Sequence, residues 1–156
     1  MAMVEDLDRI LREHPFFREL PRPLSGLVSG CARNALFEPG EHIFREGGEA
    51  GHFYLVREGQ VALELASGEG TVITFQTIGA GEILGASWLV PPFRWTFDAR
   101  ALERTRAIAL DAVCVRAKCE QNPELGWDLM KRLAPVLIER MQAARLQMLD
   151  VYGRKS

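Results

Sequence analysis

Between Gly79 and Arg100 the chain reads GAGEILGASWLVPPFRWTFDAR, and this segment gathers the residue types that could hold a small anion. A glycine such as Gly85 lets the backbone come close to a ligand. A short helix starting just after it would offer first-turn N–H groups and a positive dipole end. Ala86 and Ser87 fall at that first turn, and the Ser87 hydroxyl can add a further bond. Arg94 or Arg100 lies within a strand's reach to supply the counter-charge, and Trp88 or Trp95 could stack on an attached ring. Phe93, Trp95 and Phe97 alternate with Arg94, Thr96 and Asp98, a period of two that predicts a strand with one aromatic face. The same alternation has a purely structural reading, with the aromatics as core or dimer packing and Arg94, Asp98 and Arg100 as surface pairs.

Other chemistry finds less to work with. A metal site of the cupin kind needs an H-x-H pair, and His14, His42 and His52 supply none. No Ser-His-Asp or Cys-His arrangement can be placed, so no catalytic role is expected. Cys31, Cys114 and Cys119 are an odd number without C-x-x-C spacing, which reads as reduced thiols in a cytoplasmic protein. The formal net charge of −2 and pI near 6.0 give no footprint for nucleic acid or an anionic membrane. The start, MAMVEDLDRI, is acidic and has no leader character, and no apolar run reaches the roughly 20 residues needed to span a bilayer.

The elements that must position the loop follow from changes in period along 156 residues, a length suited to one domain. Residues 1–32 read as helices: Val4, Leu7, Ile10 and Leu11 share a face up to Pro15, and Leu24, Leu27, Val28 and Cys31 repeat after Pro21 and Pro23. Residues 33–111 are runs of Val, Ile, Phe and Tyr punctuated by glycines, the pattern of many short strands in a sandwich or barrel. Residues 112–153 return to a helical period. Asn122-Pro123-Glu124 reads as a helix start, with a capping side chain, a proline that needs no N–H partner and an acid in the first turn.

The order of elements, and three groups of residues, resemble the cyclic-nucleotide-binding domain family. They are Pro15-Phe16-Phe17 with Leu20, Gly40-Glu41 to Glu46-Gly47, and Phe53-Tyr54 to Gly59 and Val61. GAGEILGAS and NPELGWDLMKRL extend the match over nearly the whole chain. The resemblance implies a mainly β fold: a jelly-roll barrel with flanking helices and a long C-terminal helix, as in catabolite-activator-type regulators. In that family an arginine of the loop neutralises the cyclic phosphate and a glutamate just after the glycine accepts from the ribose. Here Gly85 matches the glycine, Ala86 stands at the glutamate position and Trp95 at the arginine position. The loop is about one residue short, so Arg94 could serve with a shift. The resemblance also places Phe75, Gln76 and Ile78 on the cavity wall, and the family's adenine contacts near Ala143-Ala144-Arg145. Usual cyclic AMP binding is therefore not expected; another small anion is. Two alternatives stay open: a ligandless interaction module whose pocket is filled by its own tryptophans, and a cyclic nucleotide binder with a variant loop.

Ala134, Leu137, Met141, Ala144, Met148 and Val151 repeat at 3,4,3,4,3, a heptad seam. One reading lays this face on the barrel. The other, which the resemblance supports, is a homodimer through paired helices. Pro135 lacks the N–H for the Lys131 carbonyl and should kink the helix. In the regulators a DNA-binding domain follows, whereas only Gly153-Arg154-Lys155-Ser156 remain here, so direct DNA binding is not expected. The expected protein is a regulatory sensor or adaptor domain with no cofactor, acting on a small anion or through a protein partner as yet unknown.

Overall fold

The computed structural model describes residues 2–66 and 68–155. Two helices, α1 (Ala2–Glu13) and α2 (Arg22–Ser29), flank a 3₁₀ turn at Pro15–Phe17 and lead into the strands. These are β1 (Ala32–Phe37), β2 (His42–Phe44), β3 (His52–Glu58), β4 (Gln60–Ala66), β5 (Val72–Gly79), β6 (Ile83–Leu84), β7 (Asp98–Ala101) and β8 (Thr105–Asp111). Helices α3 (Ala112–Gln121) and α4 (Pro123–Lys155) complete the chain. The strands form two four-stranded antiparallel sheets, ordered β1-β8-β3-β6 and β2-β7-β4-β5. The fold is thus mainly β with a long C-terminal helix.

Alternation builds the core. Phe53 and Leu55 on β3 are fully buried between the half-exposed His52 and Tyr54, and they meet Leu63, Phe75 and Ile78 from the other sheet. Gly59 makes the corner where the chain leaves one sheet for the other. Its φ is +107°, and a Cβ there would lie 2.4 Å from Thr105 Oγ1 and 2.7 Å from Thr105 Cα, so only glycine fits.

The C-terminal helix carries Leu125, Leu129 and Leu133, all almost completely buried, as its inward stripe. It continues through Pro135 as a single element, with Lys131 and Pro135 both exposed, so the proline does not end the helix. The start of α4 also differs from expectation in one detail. The Asn122 side-chain amide donates to the Lys118 carbonyl (3.0 Å) and so closes α3, while its backbone carbonyl accepts from Leu125 N (2.9 Å). The expected strand over 93–98 begins only at Asp98. Residues 93–95 run beside the loop 47–50, with Ala50 N donating to the Phe93 carbonyl and Trp95 N to the Gly48 carbonyl. Phe93 has φ +55°, which breaks the extended run.

The cysteines are not all free thiols. Cys31 and Cys114 form a disulfide, and Cys119 is the free one. Sheet register explains what spacing could not: Ala32 pairs with Leu110, so Cys31 emerges beside the end of β8, where α3 begins. The bond spans 83 residues of sequence. Chain entropy alone would make a loop of that length worth about 4.5 kcal/mol, and disulfides typically contribute about 2–4 kcal/mol.

His14 joins the N-terminal helices to the barrel. Its Nε2–H donates to the Val56 carbonyl (2.9 Å) and its Nδ1 accepts from Phe16 N (3.1 Å), a pattern that uses both nitrogens of a neutral ring. Burial pushes its pKa below the usual 6.5.

Two outcomes follow. Reductant, or Cys114→Ser, should lower the urea midpoint by an amount equivalent to about 2–4 kcal/mol; equal midpoints in oxidised and reduced protein would show that the bond does not stabilise the fold. As pH falls below 6.5, the unfolded state takes up a proton on His14 before the folded state does. Stability carried by the neutral ring is therefore full above that pH and is lost as pH falls through the lowered folded value. His14→Asn should flatten this part of the stability profile, and parallel profiles for variant and parent would contradict the assignment.

Candidate functional site

The loop after β6 is built around one contact. Gly85 has φ +99°, and a Cβ added there would lie 2.6 Å from two carbons of the Trp95 ring. Trp95 is only 5% exposed and stacks on Phe44 with centroids 3.7 Å apart and planes 8° apart. The indole therefore fills the space against the Gly85 backbone. Trp88 is also internal, stacked on Phe53 at 4.1 Å, and its carbonyl accepts from Arg116 Nη1. The helix that follows Gly85 is a single 3₁₀ turn, Ser87–Leu89, whose capping residue Ala86 makes no side-chain bond.

A cavity of about 370 Å³ remains between the barrel, this turn and α4. It brings together Phe75, Ala86, Ser87 and Thr96 with Leu137, Met141 and Ala144 of the helix, and adds Leu65, Val90, Phe97 and Arg140. The remaining site candidates are elsewhere. Ile78 is core. Gln76 lines an adjoining cavity of about 360 Å³ and donates to Glu139 Oε1 at 3.0 Å. Arg94 is exposed, reaches the Gly47 carbonyl at 3.4 Å and borders a third cavity with Phe93 and Arg116. Arg100 is held by the buried Glu64 carboxylate, its Nη2 2.8 Å from Oε2, and this pairing raises its already high pKa. Neither loop arginine lines the cavity beside Ala86 and Ser87.

The cation that does is Arg140, a residue that the motif reading passes over. It is 8% exposed and lines both this cavity and the adjoining one, and one of its Nη2 hydrogens goes to the Ile83 carbonyl. Burial pulls its pKa down to about 10, partly offset by Glu82 and Glu139. A signal for it exists in the sequence. Leu129, Leu133, Val136, Arg140 and Ala143 follow a 4,3,4,3 spacing, so an arginine occupies a core position of the helix.

On the neighbouring face of α4, reaching to the cavity mouth, the heptad residues are open. Leu137 is 48%, Met141 66% and Met148 58% exposed, and Trp127 and Met130 continue the 3,4 spacing toward the start of the helix. Ala144 is half-buried against the cavity, and the Val151 side chain lies outside the described residues. Among the described residues, no group of three or more His, Cys, Asp or Glu side chains could hold a metal ion, and no helix is long and apolar enough to cross a membrane.

Comparison with known proteins agrees with this architecture. A structure from Geobacter metallireducens GS-15, solved as a candidate cyclic nucleotide-binding protein, is 28% identical with a TM-score of 0.76, covering 86% of this chain and 97% of that one. The catabolite activator protein of Thermus thermophilus is 27% identical with a TM-score of 0.68, covering 89% of this chain and 63% of that one. The regulatory subunit of a cAMP-independent protein kinase A from Trypanosoma brucei, at 21% identity, shares the fold with a TM-score of 0.68 over 86% of this chain and 50% of that one. No curated protein sequence is a significant match. The family model for the cyclic nucleotide-binding domain matches residues 35–122. With more than half its length matched, the chain belongs to the cyclic nucleotide-binding domain family.

Proposed function

We propose that this chain is a non-enzymatic sensor or adaptor domain, homodimeric through α4, that does not take cyclic AMP or cyclic GMP in the usual way of its family. The observation that carries this reading is the Trp95 ring against Gly85, with Ala86 beside it where a carboxylate would read a ribose. An indole offers no charge to a phosphate, and it fills the volume a phosphate would need. Charge-assisted hydrogen bonds contribute roughly 1.5–3 kcal/mol each. Losing two of them weakens a micromolar site by about two to four decades. The Trypanosoma brucei regulatory subunit, which belongs to a cAMP-independent protein kinase A, supports the view that this fold can serve in regulation without that ligand. The two stacked tryptophans favour a self-filled, ligandless module as the second reading; the open cavity of about 370 Å³ argues against it.

Support for the dimer comes from the exposed row of Trp127, Met130, Leu137, Met141 and Met148, too apolar and too regular for a solvated helix face.

Calorimetry with cyclic AMP and cyclic GMP should give no binding tighter than the millimolar range. A micromolar dissociation constant for either would overturn the reading. For the dimer, Met148→Glu is the cleaner probe, because Met148 does not line the cavity. The parent should sediment as a dimer at tens of micromolar and the variant as a monomer, since a like-charge pair in an apolar seam costs several kcal/mol. A monomeric parent would remove the seam.

A further inference from the structure

We propose that the cavity between the barrel and α4 binds a small anion with an apolar body, a hydrophobic carboxylate whose head group meets Arg140. This rests on the reading above that cyclic nucleotides are not the ligand, and it names the chemistry of what takes their place.

The argument begins with an imbalance. Arg140 is the one ionisable side chain on the wall of this cavity. A guanidinium carries five N–H donors. Among the described residues its only hydrogen-bond partner is the Ile83 carbonyl, and no carboxylate lies within ion-pair distance of it. Glu82 and Glu139 act on it from farther away and line the adjoining cavity, not this one. A charge this buried and this short of partners is expensive to hold. Six other arginines are paired with carboxylates among the described residues: Arg12 with Asp8, Arg45 with Asp98, Arg100 with Glu64, Arg104 with Glu38, Arg106 with Glu58 and Arg132 with Asp128. An anion arriving from solvent would give Arg140 in direct contact the counter-charge that Glu82 and Glu139 supply only from a distance, in a largely buried site where that pairing is strong.

The rest of the wall sets the body of the ligand. Leu65, Phe75, Val90, Phe97, Leu137 and Met141 are apolar, and the hydroxyls of Ser87 and Thr96 are the only side-chain hydrogen-bonding groups besides Arg140. A ribose and a purine would leave several donors and acceptors unmatched there, each at a cost. An aliphatic chain or a single aromatic ring would not. A volume of about 370 Å³ lies within the range of small-molecule sites.

The test uses the full chain and two matched pairs of probes: octanoate against 1-octanol, and 4-phenylbutyrate against 4-phenyl-1-butanol. Isothermal calorimetry should show each carboxylate binding at least about tenfold more tightly than its alcohol. In Arg140→Met, which keeps the side chain's length and removes its charge, the two members of each pair should bind within about threefold of one another. Arg140→Lys should retain the preference for the carboxylate. If Arg140→Met does not fold, Ala144→Leu, which fills the cavity from its helix wall, should weaken both members of each pair together. Alcohols that bind as tightly as carboxylates overturn the proposal, as does a carboxylate preference that survives in Arg140→Met. The absence of any binding at millimolar probe also overturns it. Cyclic AMP titrated alongside keeps the two readings apart. Micromolar cyclic AMP binding would defeat the proposed function, whereas silence from every probe, cyclic AMP included, would defeat only the carboxylate site.

Discussion

A tryptophan ring pressed against the α-carbon of Gly85 and stacked on Phe44 governs what this barrel can do. It requires glycine at position 85, because any Cβ would collide with the ring. It holds residues 93–95 to the loop 47–50 through backbone bonds on both sides of Trp95, from Gly47 N and to the Gly48 carbonyl. And it makes the inner end of the loop part of the core. Phe97 follows on the same wall, edge-on to Phe75 at 5.4 Å, so that the aromatic face runs from Phe44 into the mouth of the open cavity. The polarity of the site is thus decided by one side chain and its neighbours, while the backbone keeps the family's shape.

Charge distribution tells the same story from the other side. In this chain nearly every cation near the loop is already committed: Arg100 to Glu64, Arg116 to the Trp88 carbonyl and the Phe93 ring, Arg94 to the Gly47 carbonyl. Arg140 differs because it reaches the cavity from α4, from the helix and not from the loop. The positive charge on the cavity wall thus comes from α4. The same helix presents its exposed apolar row on the adjacent face, with Leu137, Met141 and Ala144 belonging to both the cavity wall and the heptad spacing.

How far the sequence could be read depended on the kind of signal. Period and glycine placement are local, so the sheets, the corner at Gly59 and the long helix were legible, and the motifs around Gly40 to Val61 pointed to the family. The partners of a side chain are not local. Nothing in the residues themselves told that Arg100 would meet Glu64, which lies 36 positions away on a neighbouring strand, or that Arg94 would turn toward Gly47. The strand expected at Phe93 was a fair reading of alternation, but the backbone at Phe93 takes a positive φ and the alternation serves a loop pairing instead. Arg140 is hard to see in the sequence for a different reason: the outward heptad is the stronger apolar signal, and the arginine sits in the inward repeat among leucines and a valine. The disulfide was not legible because spacing along the chain says nothing about two positions that sheet register brings side by side.

That register has a topological meaning beyond cohesion. Cys31 sits just before the first strand and Cys114 just after the last, so the covalent path runs out through all eight strands and returns across the sulfurs. In the oxidised chain the barrel is a closed ring, with the two helical ends attached at the same point. A backbone cut in the exposed turn at Glu69-Gly70 would open this ring without dividing the molecule in two. The first and last strands are therefore tied at their outer ends as neighbours in sequence would be, so a cut in an exposed turn leaves both halves of the barrel, and the helices packed on them, in one molecule.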